Sequence, residues 1–129
     1  FALSRGDYHW QHEPCWYAVA KGKPHNWQGA RNQSTVWEIA RLSSNKDDSE
    51  EDVWGHGTQK PIACMQRPIE NNTAMGELAY DPFLGSGTTL IAAHRTGRRC
   101  YGCEISPKYA DVILRRAEAE GLTVERADN

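Results

Sequence analysis

No stretch of this 129-residue chain approaches the roughly 18 consecutive apolar residues that a membrane-crossing helix needs. Apolar residues are scarce throughout: 39% of the chain is hydrophobic, Phe and Met occur twice each, and the mean hydropathy is −0.73, so the expected core is thin. A net charge of −2 leaves no uniformly basic surface. Neither a starting Met nor a basic-plus-apolar leader precedes Phe1, so secretion is unsupported and a cytoplasmic bacterial, archaeal or phage-encoded protein is expected. The four cysteines make no metal set. Cys100 and Cys103 form Cys-x-x-Cys, but three residues apart on a strand they point to opposite faces, and Cys15 and Cys64 supply no second pair. Free thiols are expected, and no metal site.

What the chain does have is Asp81-Pro82-Phe83-Leu84-Gly85-Ser86-Gly87-Thr88-Thr89, entered from an apolar strand (Leu78, Ala79, Tyr80) and left by a helix-like run from Leu90 to Arg95. Gly85 and Gly87 allow a tight turn with a ligand against the backbone, and the helix start presents N–H groups. A second strand, Arg99 to Cys103, ends in Glu104, 17 residues beyond Gly87. That is near the roughly 20-residue spacing at which a Rossmann-type fold places a carboxylate on ribose hydroxyls. The ligand expected is a nucleoside. Pyrophosphate and triphosphate are disfavoured, because Leu90 stands where a dinucleotide fingerprint needs its third glycine and no lysine follows as in a P-loop.

Period and punctuation predict strands at Trp16 to Ala20, Thr35 to Ile39, Leu78 to Asp81, Arg99 to Glu104 and Thr123 to Arg126, and helices over 61–71, 87–96 and 107–120. In the last helix Ser106 is the expected cap and Pro107 the first residue, with Tyr109, Val112, Ile113 and Ala117 on one apolar face and Gly121 ending it. Pro68 is expected to bend the first helix. Strand-helix-strand from residue 77 onward requires parallel pairing, hence a Rossmann-like three-layer α/β sheet.

The glycine string resembles the S-adenosylmethionine loop of DNA amino-methyltransferases. Upstream, His56-Gly57-Thr58-Gln59-Lys60-Pro61 is similar to the His-Pro-Thr-Gln-Lys-Pro element of that family, with Gly57 in place of proline. The stretches His12-Glu13-Pro14-Cys15-Trp16-Tyr17-Ala18-Val19-Ala20-Lys21-Gly22-Lys23-Pro24 and Ser34-Thr35-Val36-Trp37-Glu38-Ile39 resemble the region before it. Together they match the beta arrangement, in which the catalytic half comes first in sequence and the cofactor loop last. The resemblance implies a partial, mostly parallel mixed sheet of the S-adenosylmethionine-dependent methyltransferase kind, with S-adenosylmethionine as cofactor. It implies cofactor contacts from Thr58, Lys60, Asp81, Phe83, Gly85, Ser86, Gly87, Thr88 and Glu104. Glu104 would bind ribose, Phe83 would line the pocket, and Thr58 with Lys60 would hold the methionine end; Thr58 can also cap the helix starting near Pro61.

The family's Asp/Asn/Ser-Pro-Pro-Tyr/Phe tetrapeptide, which holds the target amine and stacks on the flipped base, does not occur in these 129 residues. A carboxy-terminal portion of such an enzyme is therefore expected, with no catalytic residue of its own and acting on adenine N6 or cytosine N4. Residues 1–45 would belong to the catalytic, DNA-facing half, 46–57 to a solvated acidic loop (five acids and one lysine in 46–52), and 58–129 to the cofactor half. That acidic loop is unsuited to a phosphate backbone, so contacts to double-stranded DNA are expected from Lys21, Lys23, His25, Arg31 and Asn32 around Trp27. A solvated loop with Trp27 packed inward is the bland alternative. With an unpaired strand edge beside Leu78-Ala79-Tyr80, the chain is expected to form a homodimer, exchange a segment, or need a partner chain carrying the catalytic half. Two other readings stay open: a non-catalytic cofactor- or DNA-binding module, and an enzyme using adenosine or NAD.

Overall fold

The computed structural model describes residues 7–9, 11–42 and 59–123. Within them the order is α1 (Ile62–Asn72), β1 (Leu78–Asp81), α2 (Thr88–Arg95), β2 (Arg99–Gly102) and α3 (Pro107–Ala119). Strands β1 and β2 pair in parallel, with Leu78 opposite Arg99, Ala79 opposite Cys100, Tyr80 opposite Tyr101 and Asp81 opposite Gly102. This is the α/β arrangement read from the sequence, with α2 as the crossover.

The core sits between α1, α2 and one face of the sheet. Ile62 and Ile69 of α1 meet Ile91, Ala92 and Ala93 of α2, with Met65, Ala79 and Cys100 packed against them. Strand residues alternate between faces, so Ala79 and Cys100 turn inward while Leu78, Tyr80 and Tyr101 lie exposed on the other face. Among the described residues the sheet is the parallel pair β1–β2, with no antiparallel member.

Helix α1 runs unbroken through Pro68. Its cap is Pro61, which makes no side-chain capping bond; the capping role expected of Thr58 lies outside the described residues. Ser106 occupies the cap of α3 without a capping bond from its hydroxyl, whereas Pro107 is the first helical residue as expected. At the other end Gly121 N–H donates to Glu118 O and Leu122 N–H to Ala117 O, a Schellman closure.

The strands expected at 16–20 and 35–39 do not form; both segments are irregular. Residues 17–37 instead reach α1. Gln28 N–H donates to Asn71 O at 2.7 Å, the Gln33 and Asn71 side-chain amides exchange two hydrogen bonds of 2.7 Å each, Tyr17 Oη donates to Asn72 Oδ1, and Arg67 stacks 5.2 Å from the Trp37 ring centroid. Trp27 is half-buried, edge-on to Tyr17. The strand expected at 123–126 and the acidic loop fall almost wholly outside the described residues.

Candidate functional site

The glycine string forms the turn between β1 and α2, held from three sides. Asp81, at the end of β1, uses one carboxylate oxygen to accept the Phe83 N–H at 2.9 Å and the other to accept the Thr89 hydroxyl at 2.6 Å. Its side chain thus folds the strand end onto the first turn of the helix. Gly85 and Gly87 take φ of 57° and 84°, the left-handed region that disfavours a side chain. Gly87 N–H donates to Leu84 O and Gly87 O accepts from Ile91 N–H, so this glycine both closes the turn and starts the helix. A Cβ on Gly87 would also stand 3.1 Å from Ile113 Cγ1 of α3.

Glu104 reaches the same turn from the end of β2. Its Oε2 accepts the Gly85 N–H and its Oε1 the Ser106 N–H, both at 2.8 Å. Two charge-assisted bonds fix the carboxylate beside the loop, and each oxygen retains a lone pair for a further donor such as a hydroxyl. Two apolar side chains flank this point: Phe83 is 88% exposed and Ile105, next to Glu104, is 99% exposed. Ile105 went unmarked in the sequence; its place directly after the carboxylate that ends a strand was the available signal.

Beneath the turn, Ser86, Thr88 and Thr89 are buried. Thr88 Oγ1 donates to Lys60 O at 3.2 Å, which brings the Gln59-Lys60-Pro61 segment against the glycine loop as the motif spacing suggested. The Lys60 ammonium itself turns to Glu13. From α3, buried Arg116 donates through Nη1 to Ser86 O at 2.8 Å and reaches Ser86 Oγ and Thr88 Oγ1 at 3.2 Å each. Thr58 lies outside the described residues. The site therefore joins Lys60, Asp81, Phe83, Gly85, Ser86, Gly87, Thr88 and Glu104 around one loop.

Lys21, Lys23, His25, Arg31 and Asn32 are all exposed in the amino-terminal segment, Lys23 N–H closing a turn on Ala20 O. Cys103 lies beside Tyr80, its Sγ 3.9 Å from the phenol oxygen, and that contact holds the phenol above its ordinary pKa. Burial raises the Cys100 thiol, and the Asp81 charge adds to it.

The family model for DNA methylases matches residues 6–115. The type II methyltransferase M.ScaI of Streptomyces caespitosus is 36% identical over 94 residues, which are 73% of this chain and 31% of that relative. The DNA adenine methyltransferase YhdJ of Escherichia coli K12 is 34% identical over 98 residues, 76% of this chain and 32% of that one. Among solved structures, the M1.HpyAVI–SAM complex matches with a TM-score of 0.61 at 27% identity, over 74% of this chain and 45% of the other. The chain thus spans about a third of the length of these two curated relatives.

Proposed function

The chain belongs to the DNA methylase family, and we propose that its glycine loop and Glu104 form the S-adenosylmethionine site of a DNA methyltransferase that acts on an exocyclic base amine, adenine N6 or cytosine N4. The observation that carries this reading is the pair of hydrogen bonds that the Glu104 carboxylate accepts. One carboxylate, 19 residues from Gly85, sets the loop and leaves lone pairs at the place where a ribose diol would donate. Phe83 and Ile105, exposed on either side, offer apolar surface to a flat purine ring. Asp81 and Thr89 shape the turn, and Asp81, with one bond on each carboxylate oxygen as in Glu104, keeps lone pairs for the ligand as well. No phosphate-binding lysine stands in the loop, which favours a nucleoside sulfonium over a nucleotide.

Thr58 and Lys60 take the methionine end in this reading, the Lys60 ammonium leaving Glu13, with which it forms a half-exposed pair worth little in water. Lys21, Lys23, Arg31 and Asn32 meet DNA phosphates. The target base is flipped from the duplex and the methyl group passes from sulfonium to amine in line. The groups that hold the amine are not in this chain, which lacks the Pro-Pro tetrapeptide. That absence equally favours a second reading, a cofactor- or DNA-binding module with no turnover.

Calorimetric titration with S-adenosylhomocysteine tests the site. Binding is expected, and Glu104→Gln should weaken it by roughly 1–3 kcal/mol, the range for leaving a hydrogen-bonding group without its partner. A folded chain that gives neither heat nor thermal shift at millimolar ligand rules the assignment out.

A further inference from the structure

Arg116 is a buried cation, 4% exposed, on the apolar stripe of α3 between Ile113 and Ala117. A guanidinium is seldom buried without a specific set of acceptors. Here three acceptors come from the glycine loop: the Ser86 carbonyl at 2.8 Å, then the Ser86 and Thr88 hydroxyls at 3.2 Å. We propose that Arg116 is a positioning residue of the ligand site, locking the Ser86–Gly87 turn from beneath so that the loop is preformed for its ligand. The inference rests on the cofactor reading above and adds to it a residue 29 positions beyond Gly87, outside every motif in the sequence.

Three features make α3 a fixed platform for that guanidinium. Ile113 packs against Gly87, within 3.1 Å of where its Cβ would be. One turn after Arg116, Glu120 is held by Arg95 of α2 through two bonds of 2.9 and 2.6 Å. Thr88 passes the connection on, donating to Lys60 O at 3.2 Å, so a single chain of contacts runs from α3 through the loop to the segment before α1. Arg116 holds the Ser86 carbonyl turned into the protein. Without that bond the Ser86–Gly87 peptide loses the donor that orients it, and the cost of ordering the loop moves to the binding step, which weakens affinity.

The test uses the full chain and S-adenosylhomocysteine as the probe, with Arg116→Met, Arg116→Lys and Glu104→Gln compared by calorimetry and by the amide resonances of Gly85 and Gly87 in the ligand-free protein. Arg116→Met is expected to stay folded, shift both glycine resonances and raise Kd roughly tenfold. Arg116→Lys should return the resonances towards wild type and recover part of the affinity, a rescue that a merely space-filling role would not show. A folded Arg116→Met with wild-type Kd and unshifted glycines, alongside a weakened Glu104→Gln, overturns the inference and leaves the site reading intact. Should Arg116→Met not fold, Arg116→Gln, too short and uncharged to reproduce the guanidinium bonds, takes its place: wild-type Kd with unmoved glycine resonances overturns the proposal, and a weaker Kd with shifted resonances upholds it. Loss of binding in none of the three variants overturns the site reading itself.

Discussion

Tyr80 and Tyr101 stand opposite each other in the parallel pair, 64% and 62% exposed, on the face of the sheet that no described helix covers. Leu78 continues the same apolar face. Sheet faces of this kind are ordinarily buried when the pairing is parallel. The far edge of β1 has no strand beside it among the described residues, and unpaired edges recruit other chains. The isolated chain should therefore self-associate. Light scattering over a range of concentrations checks this; Tyr80→Lys with Tyr101→Lys should shift the population towards monomer. A chain that stays monomeric at high concentration and unfolds cooperatively would show that this face needs no cover.

Gly87→Ala should destabilise the fold. The left-handed backbone alone costs about 1–2 kcal/mol for a residue with a Cβ, and the added methyl must displace Ile113, 3.1 Å away. Denaturant unfolding measures the loss. In an Ile113→Ala background, which lacks the Cγ1 and Cγ2 atoms that the methyl meets, Gly87→Ala should cost less, with the backbone part left in place.

Asp81 and Thr89 should couple. Their 2.6 Å bond joins the end of β1 to the first turn of α2, so a double-mutant cycle of Asp81→Asn and Thr89→Val is expected to give an interaction of about 0.5–3 kcal/mol, as for neighbours in one network. Strict additivity would mean that the two act separately.

The glycine loop was legible because its signals are local. Leu78 to Asp81, the two glycines and Thr88 onward specify strand, turn and helix within a dozen residues, and the observed elements start and end within one or two residues of expectation. Glu104 was legible from its spacing. The amino-terminal strands were misread because β propensity expresses itself only against a partner: Trp16, Tyr17 and Val19, or Val36 and Trp37, have strand-forming side chains but no described strand to pair with. Their segments dock on α1 through Asn71 and Asn72 instead, side-chain amides that meet Gln33 and Tyr17 from 38 and 55 positions away. Arg116 escaped notice beside Arg115, although Ile113, Arg116 and Ala117 at helical spacing place a cation on the buried stripe.

Glu120 supplies a pH dependence. Its hydrogen bonds from Arg95 hold the carboxyl below the ordinary value, outweighing partial burial, with the Arg95, His94 and Arg116 charges adding to the effect. A lowered folded-state pKa contributes stability that is present above the unfolded-state value and is lost as pH falls through the folded one. Wild type should therefore exceed Glu120→Gln in thermal stability at neutral pH, with the gap closing on acidification below the ordinary carboxylate range. The gap itself should be small, since the Arg95 side chain is 46% exposed. An unchanged gap down to strongly acidic pH would mean that the pair adds nothing through its charge.

The remaining prediction concerns turnover. Methyl transfer to an exocyclic amine requires the flipped base to be held while its nitrogen approaches the sulfonium. The loop region offers backbone, hydroxyls, Glu104 and apolar surface, all of it suited to gripping the cofactor. Asp81, the acid of the one Asp-Pro step in the chain, has its carboxylate tied to Phe83 and Thr89. With no Pro-Pro tetrapeptide to supply a carbonyl and a stacking ring, this chain alone should bind S-adenosylmethionine yet leave DNA unmethylated. Incubation with tritiated S-adenosylmethionine and mixed-sequence duplex DNA measures the outcome, with cofactor binding verified on the same preparation. Reproducible incorporation that disappears with Glu104→Gln would place an amine-holding group within these 129 residues and overturn the division between cofactor grip and base grip.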